Sequence, residues 1–438
     1  MTSEGRTGIR GEIKGPGGKG PGLKRALRAL KHREFAIFWS GALASNTGTW
    51  IQNMTVPYVL YQITESAFWV GFATFAQFVP QMVLGPLGGS IADRSDRRKV
   101  LIITQAAMAV AAFALWGAWV LEFRQLPVIL GLLTLSGTIG GLNIPSWQAF
   151  VNDLVPLDDL ISAITLNSVQ FNASRAIGPA IAGMILAWAG PGWAFMANGL
   201  SFLFVLGALA VVKPRPTRPK ASPRMAVMKG FAEAIRYSRT QPGILIGMAI
   251  AVLVASLGNP VQQFTVVFAV SEFDVGALGL AMLNVTLGIG AVAAFFAVSG
   301  WDDRLSRATM TRWSMLVYAL AIISFAVSPN FETALVSLMF VGGGFLAVIS
   351  ISNTSLQIIV ADHIRGRVMA LRIMAFSGSY PLGALIQGWV ADRIGVRMTV
   401  GGAGTILLLF TLVVTRNANW LPRLDDPHDE SEPVPAQR

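Results

Sequence analysis

The chain has no cysteine, three widely separated histidines (His32, His363 and His428) and only 13% charged residues in 438 positions. The missing cysteine excludes disulfides, thiol chemistry and thiolate metal sites. Imidazoles this scarce give no basis for a metal or catalytic centre. No Gly-x-x-x-x-Gly-Lys-Ser/Thr loop occurs, so no nucleotide site is expected, and with it no cofactor. A soluble domain carries about 25% charged residues, and a chain this poor in charge cannot cover a water-facing surface.

What the chain has instead is hydrocarbon: 53% of its residues are hydrophobic, and they fall in long runs. In lipid, every backbone polar group must be satisfied inside a helix or a closed barrel. These runs are too long for barrel strands and do not alternate, so they read as helices. Each is near the ~20 residues that cross a bilayer. They recur at Phe35–Ile63, Ala67–Ala92, Val100–Leu121, Pro127–Trp147, Ala163–Ala189 and Trp193–Val212. A second set follows at Ile244–Val270, Gly276–Ser299, Met310–Val327, Thr333–Thr354, Val368–Ala391 and Met398–Val414. The expected fold class is an all-α membrane protein with twelve transmembrane helices in two pseudo-symmetric six-helix bundles. The expected bundles are 34–212 and 243–415, joined by a basic, proline-rich cytoplasmic linker at 213–242. An N-terminal tail (1–33) and a C-terminal tail (416–438) flank them. Leu23–Lys31 reads as a short basic amphipathic helix on the membrane surface, or equally as a solvated lead-in. The first apolar run is too long for the core of a cleaved signal peptide.

A net charge of +11 would suit a nucleic-acid partner, but the Lys and Arg residues sit beside apolar spans, which points to the lipid bilayer instead. With both termini cytoplasmic in a bacterial inner (plasma) membrane, all of them except Arg124, Arg175, Arg393 and Arg397 fall on the inner side. The halves also repeat. Asp93-Arg94-x-x-Arg97 returns as Asp303-Arg304-x-x-Arg307 at an offset of 210 residues. Gln148 and Asp153 return as Gln357 and Asp362 at 209, and Gly178 and Gly183 as Gly383 and Gly388 at 205. Three matches in one order describe a duplicated six-helix unit.

Gly89-x-x-x-Asp93-Arg94-x-Asp96-Arg97-Arg98 resembles the signature loop of the major facilitator superfamily, departing at Asp96, where the family pattern has Gly. The resemblance implies a conformational latch made of Gly89, Asp93, Arg94, Asp96, Arg97 and Arg98, echoed by Asp303 and Arg304. Plain positive-inside charge is the competing reading. Gly178-Pro179-x-x-Ala182-Gly183 resembles the end of the span-five motif of proton-coupled exporters, although Ser174 stands where a glycine is expected. It implies a controlled bend, or simply tight helix packing. Thr49-Trp50-x-Gln52, Pro145-Ser-Trp147-Gln148 and Leu166-Asn167-Ser168 are similar to the exporter branch that includes enterobactin and macrolide efflux proteins.

Ionisable residues inside a membrane are costly and usually functional. Arg175 lies mid-span, with Asn167, Ser168 and Asn172 at helical spacing before it. Arg372 lies nearer an edge, to which it could snorkel. Further polar stripes comprise Asn46, Trp50 and Asn53; Gln77 and Gln81; Asn143 and Trp147; Asn259, Gln262 and Gln263; and Asn353 and Gln357. Together they predict a wet, aromatic-rich central cavity; singly, each could be an interhelical hydrogen bond of about 0.6 kcal/mol. Such a cavity suits a mostly apolar small molecule, with any anionic part held by Arg175. The expected function is export of small amphipathic molecules, drugs or siderophore-like metabolites, by alternating access. Import on the same scaffold is the alternative. Protons are the expected coupling ion, with Asp93 and Asp153 as the available carriers. Catalysis is not expected.

Overall fold

The computed structural model describes residues 27–215, 224–301, 306–416 and Leu424, and among these all regular structure is helical. The first half contains α1 (Arg33–Thr64), α2 (Ala67–Arg94), α3 (Arg97–Val120), α4 (Leu126–Asn152), α5 (Leu160–Trp188) and α6 (Pro191–Val211). A connecting helix, α7 (Arg224–Thr240), follows. The second half contains α8 (Pro242–Glu272), α9 (Gly276–Trp301), α10 (Arg307–Ala326), α11 (Phe331–Ile359), α12 (Asp362–Ile394) and α13 (Val396–Arg416).

Ten of these helices are long and apolar enough to cross a membrane. The long helices outside that set are α1 and α5, of 32 and 29 residues. They hold Asn46, Asn53 and Arg175, whose polarity lowers their mean hydropathy without shortening them. Prolines 57, 80, 86, 145, 179 and 381 lie inside these long helices, where neighbouring helices tolerate the lost backbone bond. Helix α8 contains π-helical turns at Val254–Gly258 and Phe268–Glu272, wider turns of a kind often found at functional sites.

Helix α2 packs along α4, α1 against α5 and α6, and α3 against α4 and α6. In the second half α11 touches α9 and α10, α10 packs on α13, and α12 on α8 and α13. The halves meet where α12 lies on α2 and α9 on α5. Small residues make both crossings close. A Cβ on Gly388 of α12 would sit 2.6 Å from the Ala67 carbonyl oxygen and 3.0 Å from Phe68 Cα. A Cβ on Gly183 of α5 would meet Ala281 of α9 and lie 3.1 Å from the Ala277 carbonyl. The other glycine of each pair faces its own half: Gly178 meets Trp50 of α1, and Gly383 meets Ser256 of α8. The duplicated glycines therefore have duplicated partners.

Two of the connections are described in part. Of the segment Leu23–Lys31, Leu27 and a single 3-10 turn at Arg28–Lys31 are described, and residues 23–26 lie outside the described set. The linker includes a helix of 17 residues, α7, which the proline content had concealed. Glu233 of α7 pairs with Arg367 of α12, and the Tyr237 hydroxyl accepts the Ala361 N–H at 3.5 Å. Asp303 and Arg304 lie outside the described residues.

Candidate functional site

A cavity of about 580 Å³ lies between the halves. Eight residues of the expected stripes line it: Trp50 and Asn53 of α1, Gln77 and Gln81 of α2, Arg175 of α5, and Asn259, Gln262 and Gln263 of α8. Four of them are linked in two pairs. Gln77 Nε2 donates to Asn53 Oδ1 at 3.3 Å, and Arg175 Nη2 donates to Gln262 Oε1 at 2.8 Å. The second bond crosses from one half to the other. The Arg175 guanidinium carbon lies 5.5 Å from the Trp50 ring centroid and 5.8 Å from that of Phe345. Among the described residues, Arg175 is the only one on the cavity wall with a formal charge, and no Asp, Glu, Lys or His lines it.

Sequence reasoning missed Tyr380, whose hydroxyl accepts from Gln263 Nε2 at 2.7 Å and whose ring meets Phe78 edge-on at 5.3 Å. The usable signal was a tyrosine beside Pro381 inside a span, in a chain with only five tyrosines. Phe78, Phe171, Phe345 and Phe376 complete the aromatic wall. They read as ordinary span hydrophobes.

The remaining stripe residues lie outside the cavity. Asn46 donates to Gln170 at 3.2 Å. Asn143 is buried and accepts from Thr104 at 2.8 Å and Gln105 at 3.2 Å. Its neighbour Gly141 lines the cavity; two residues on a helix turn a side chain by about 200°. Trp147 donates to Asn167 at 3.3 Å. Ser168 and Asn172 are exposed and spend their donors on the carbonyls of Ile164 and Ser168. Asn353 accepts from Arg372 at 3.1 Å, and Gln357 is exposed. Arg372 also donates to the Ile349 carbonyl at 3.3 Å and is 6% exposed, so it does not snorkel. Spacing identifies a polar face; the neighbouring helix decides whether that face is wet.

The signature loop forms a built cluster. Arg97 Nη1 donates to both carboxylate oxygens of buried Asp153, at 2.8 and 2.9 Å. Arg98 donates to the Leu209 and Ala210 carbonyls at the end of α6, at 2.6 and 2.7 Å, where a cation favours the helix dipole. Asp96 caps α3 through Lys99 N–H at 3.2 Å. Asp93 and Arg94 line a cleft of about 370 Å³ together with Asp153 and Arg215. The close approach belongs to Gly88, whose Cβ would lie 2.9 Å from Leu142 Cα, whereas a Cβ on Gly89 would meet nothing within 4 Å. In the span-five motif, Pro179 lines the cavity.

Away from the signature loop, the two halves are bonded to each other. Asp392, near the end of α12, accepts from Ser66 Oγ at 2.5 Å and from Ala67 N–H at 2.7 Å. Tyr61 hydrogen-bonds Ser271 across the same seam. Beside them Arg397 holds Glu272 at 2.5 Å and the Ser328 carbonyl at 2.7 Å.

The family of proteins described as transmembrane secretion effectors matches residues 25–438. A staphyloferrin A transporter of Staphylococcus aureus is 24% identical over 86% of the chain and 94% of its own length. A macrolide efflux protein of Streptococcus pyogenes is 21% identical over 87% and 95%. An enterobactin exporter of Salmonella choleraesuis is 24% identical over 91% and 97%. The fold matches a bacterial homologue of the lysosomal transporter Spinster, solved inward-facing and unoccupied. Its TM-score is 0.71 at 14% identity, over 90% of this chain and 97% of that one. It also matches a D-xylose–proton symporter, with a TM-score of 0.67 at 16% identity over 91% and 98%.

Proposed function

This chain belongs to the transmembrane secretion effector family of major facilitator transporters, and we propose that it exports small amphipathic molecules by alternating access across a bacterial inner membrane. Its relatives are named as a staphyloferrin A transporter, a macrolide efflux protein and an enterobactin exporter. The observation that carries the reading is the aromatic-walled cavity between the halves, which Asp392 joins through its bonds to Ser66 and Ala67.

In this reading α1 and α5 also span the membrane, giving twelve spans in two six-helix bundles, 34–212 and 243–415. The matched partners of Gly178, Gly183, Gly383 and Gly388 support that symmetry. Both termini are cytoplasmic, the 213–242 linker lies on the same side, and the Asp392 seal faces outward. The chain is then inward-facing, with Asp93–Arg98 at its open end as the latch for the opposite state.

The coupling ion in this reading is the proton. Because no carboxylate among the described residues lines the cavity, this reading puts its carriers outside the cavity. Exposed Asp392 suits the role: every bond it makes to α2 is accepted by the carboxylate, so a proton there weakens the seal. Asp93, in the cleft at the other end, is the second candidate. Uptake of a catecholate, a polycarboxylate and a macrolide into inverted vesicles, with and without a pH gradient, tests both parts. Gradient-driven accumulation supports them; accumulation only in right-side-out vesicles selects import.

A further inference from the structure

Resting on the reading of the central cavity as the transport site, we infer that this cavity selects organic anions with an aromatic body, and that Arg175 is the residue that selects them. A guanidinium stays protonated in proteins, so the wall carries one fixed positive charge. Among the described residues, no acidic side chain on that wall balances it. An uncompensated charge away from bulk water is costly, and a bound anion removes that cost.

The surroundings define the rest of the ligand. Gln262 takes one donor of Arg175, at 2.8 Å, and a guanidinium has five in a planar fork. That fork matches a carboxylate, sulfonate or catecholate oxygen pair. Trp50 and Phe345 flank the guanidinium from opposite halves, at 5.5 and 5.8 Å. A flat ring lying against either of them, on the cavity side, would place its acidic substituent against Arg175. Gln262, a neutral acceptor on the second half, is the weaker partner that an anion replaces. Binding would then break a hydrogen bond joining the halves while neutralising the charge between them. Occupancy loosens the cavity only for ligands of the right sign. A cation would instead be repelled by Arg175 and find no carboxylate to offset that repulsion.

The test uses the purified full chain in lipid nanodiscs, titrated with three fluorescent probes that share one aromatic body. These are dansylglycine (an anion), dansylglycinamide (neutral) and dansylethylenediamine (a cation). Wild-type protein should bind the anion about tenfold or more tighter than the amide, as a charge-assisted bond implies, and the cation weakest. Arg175→Gln should bring the anion-to-amide ratio to within about twofold of one, while Arg175→Lys keeps the order. Equal wild-type affinities, a preference for the cation, or an anion preference that survives Arg175→Gln would overturn the inference. If Arg175→Gln does not purify as a single species, the wild-type order of the three probes decides. Failure of export in vesicles with this order intact removes the export reading alone; export without this order removes the selectivity alone.

Discussion

Asp392, near the end of α12, caps the first turn of α2 in the other half: its carboxylate accepts from Ser66 Oγ and from the Ala67 N–H at 2.7 Å. Ser66 is the N-cap of α2, and its own side chain makes no capping bond within that helix. A helix whose cap comes from the opposite half is complete only when the two halves touch. Asp392→Ala should therefore favour the state open at this end, by about 1 kcal/mol, the usual worth of a cap. That is about a fivefold shift in population. The chain has no cysteine, so a single cysteine at cavity residue Thr74 can report it. Labelling by an impermeant thiol reagent from the sealed side should be several-fold faster in Asp392→Ala.

Gly388 tests the same closure by bulk. A side chain there meets the backbone of Ala67 and Phe68 at 2.6 and 3.0 Å, and backbone cannot swing away. Gly388→Val should express and insert but transport at least about tenfold more slowly, since each 1.4 kcal/mol of clash is a factor of ten. Gly89→Ala, which meets nothing within 4 Å, should leave expression and thermal stability unchanged.

Arg97 holds Asp153 through one nitrogen, Nη1, that donates to both carboxylate oxygens, and Asp153 is only 4% exposed. Arg97→Ala strands that carboxylate. Breaking a buried pair costs about 3–5 kcal/mol; with Arg97 partly exposed, about 2 kcal/mol is expected. Adding Asp153→Ala should recover part of the loss, measured as thermal unfolding in detergent.

Much of the architecture was legible because lipid permits so few solutions. An apolar run of span length has no alternative to a helix, so the long helices and their order follow from composition. Arg175 was legible for the same reason: one charge in such a run has to be satisfied by something. Asp392 was not, because beside Arg393 at a span end it reads as a loop charge. Its role depends on where α2 begins in the other half. Asn143 failed in the other direction, since its stripe is real but faces Thr104 and Gln105 of α3. Helical spacing gives the angle of a side chain and leaves its neighbour open.

Asp159, at the start of α5, anchors the N-terminal turn through His32 at 2.8 Å and Arg28 at 3.0 Å. The hydrogen bond with His32 is the main cause holding its carboxyl below the ordinary range; burial opposes it and the Arg28 charge assists. A depressed folded value means stability that is present above the unfolded value of 3.8 and lost as pH falls through the folded one. Arg28 is about half exposed, so the contribution should be about 0.5–1 kcal/mol. The gap in Tm between wild type and Asp159→Asn should be widest near neutrality and shrink on acidification.

Uptake of dansylglycine into inverted vesicles under an imposed pH gradient, compared between wild type and Gly388→Val, tests most directly whether the cavity is an export path. Concentrative, gradient-dependent uptake by wild type that collapses in Gly388→Val is the predicted result. Equal uptake by vesicles with and without the protein, or uptake untouched by Gly388→Val, would contradict it.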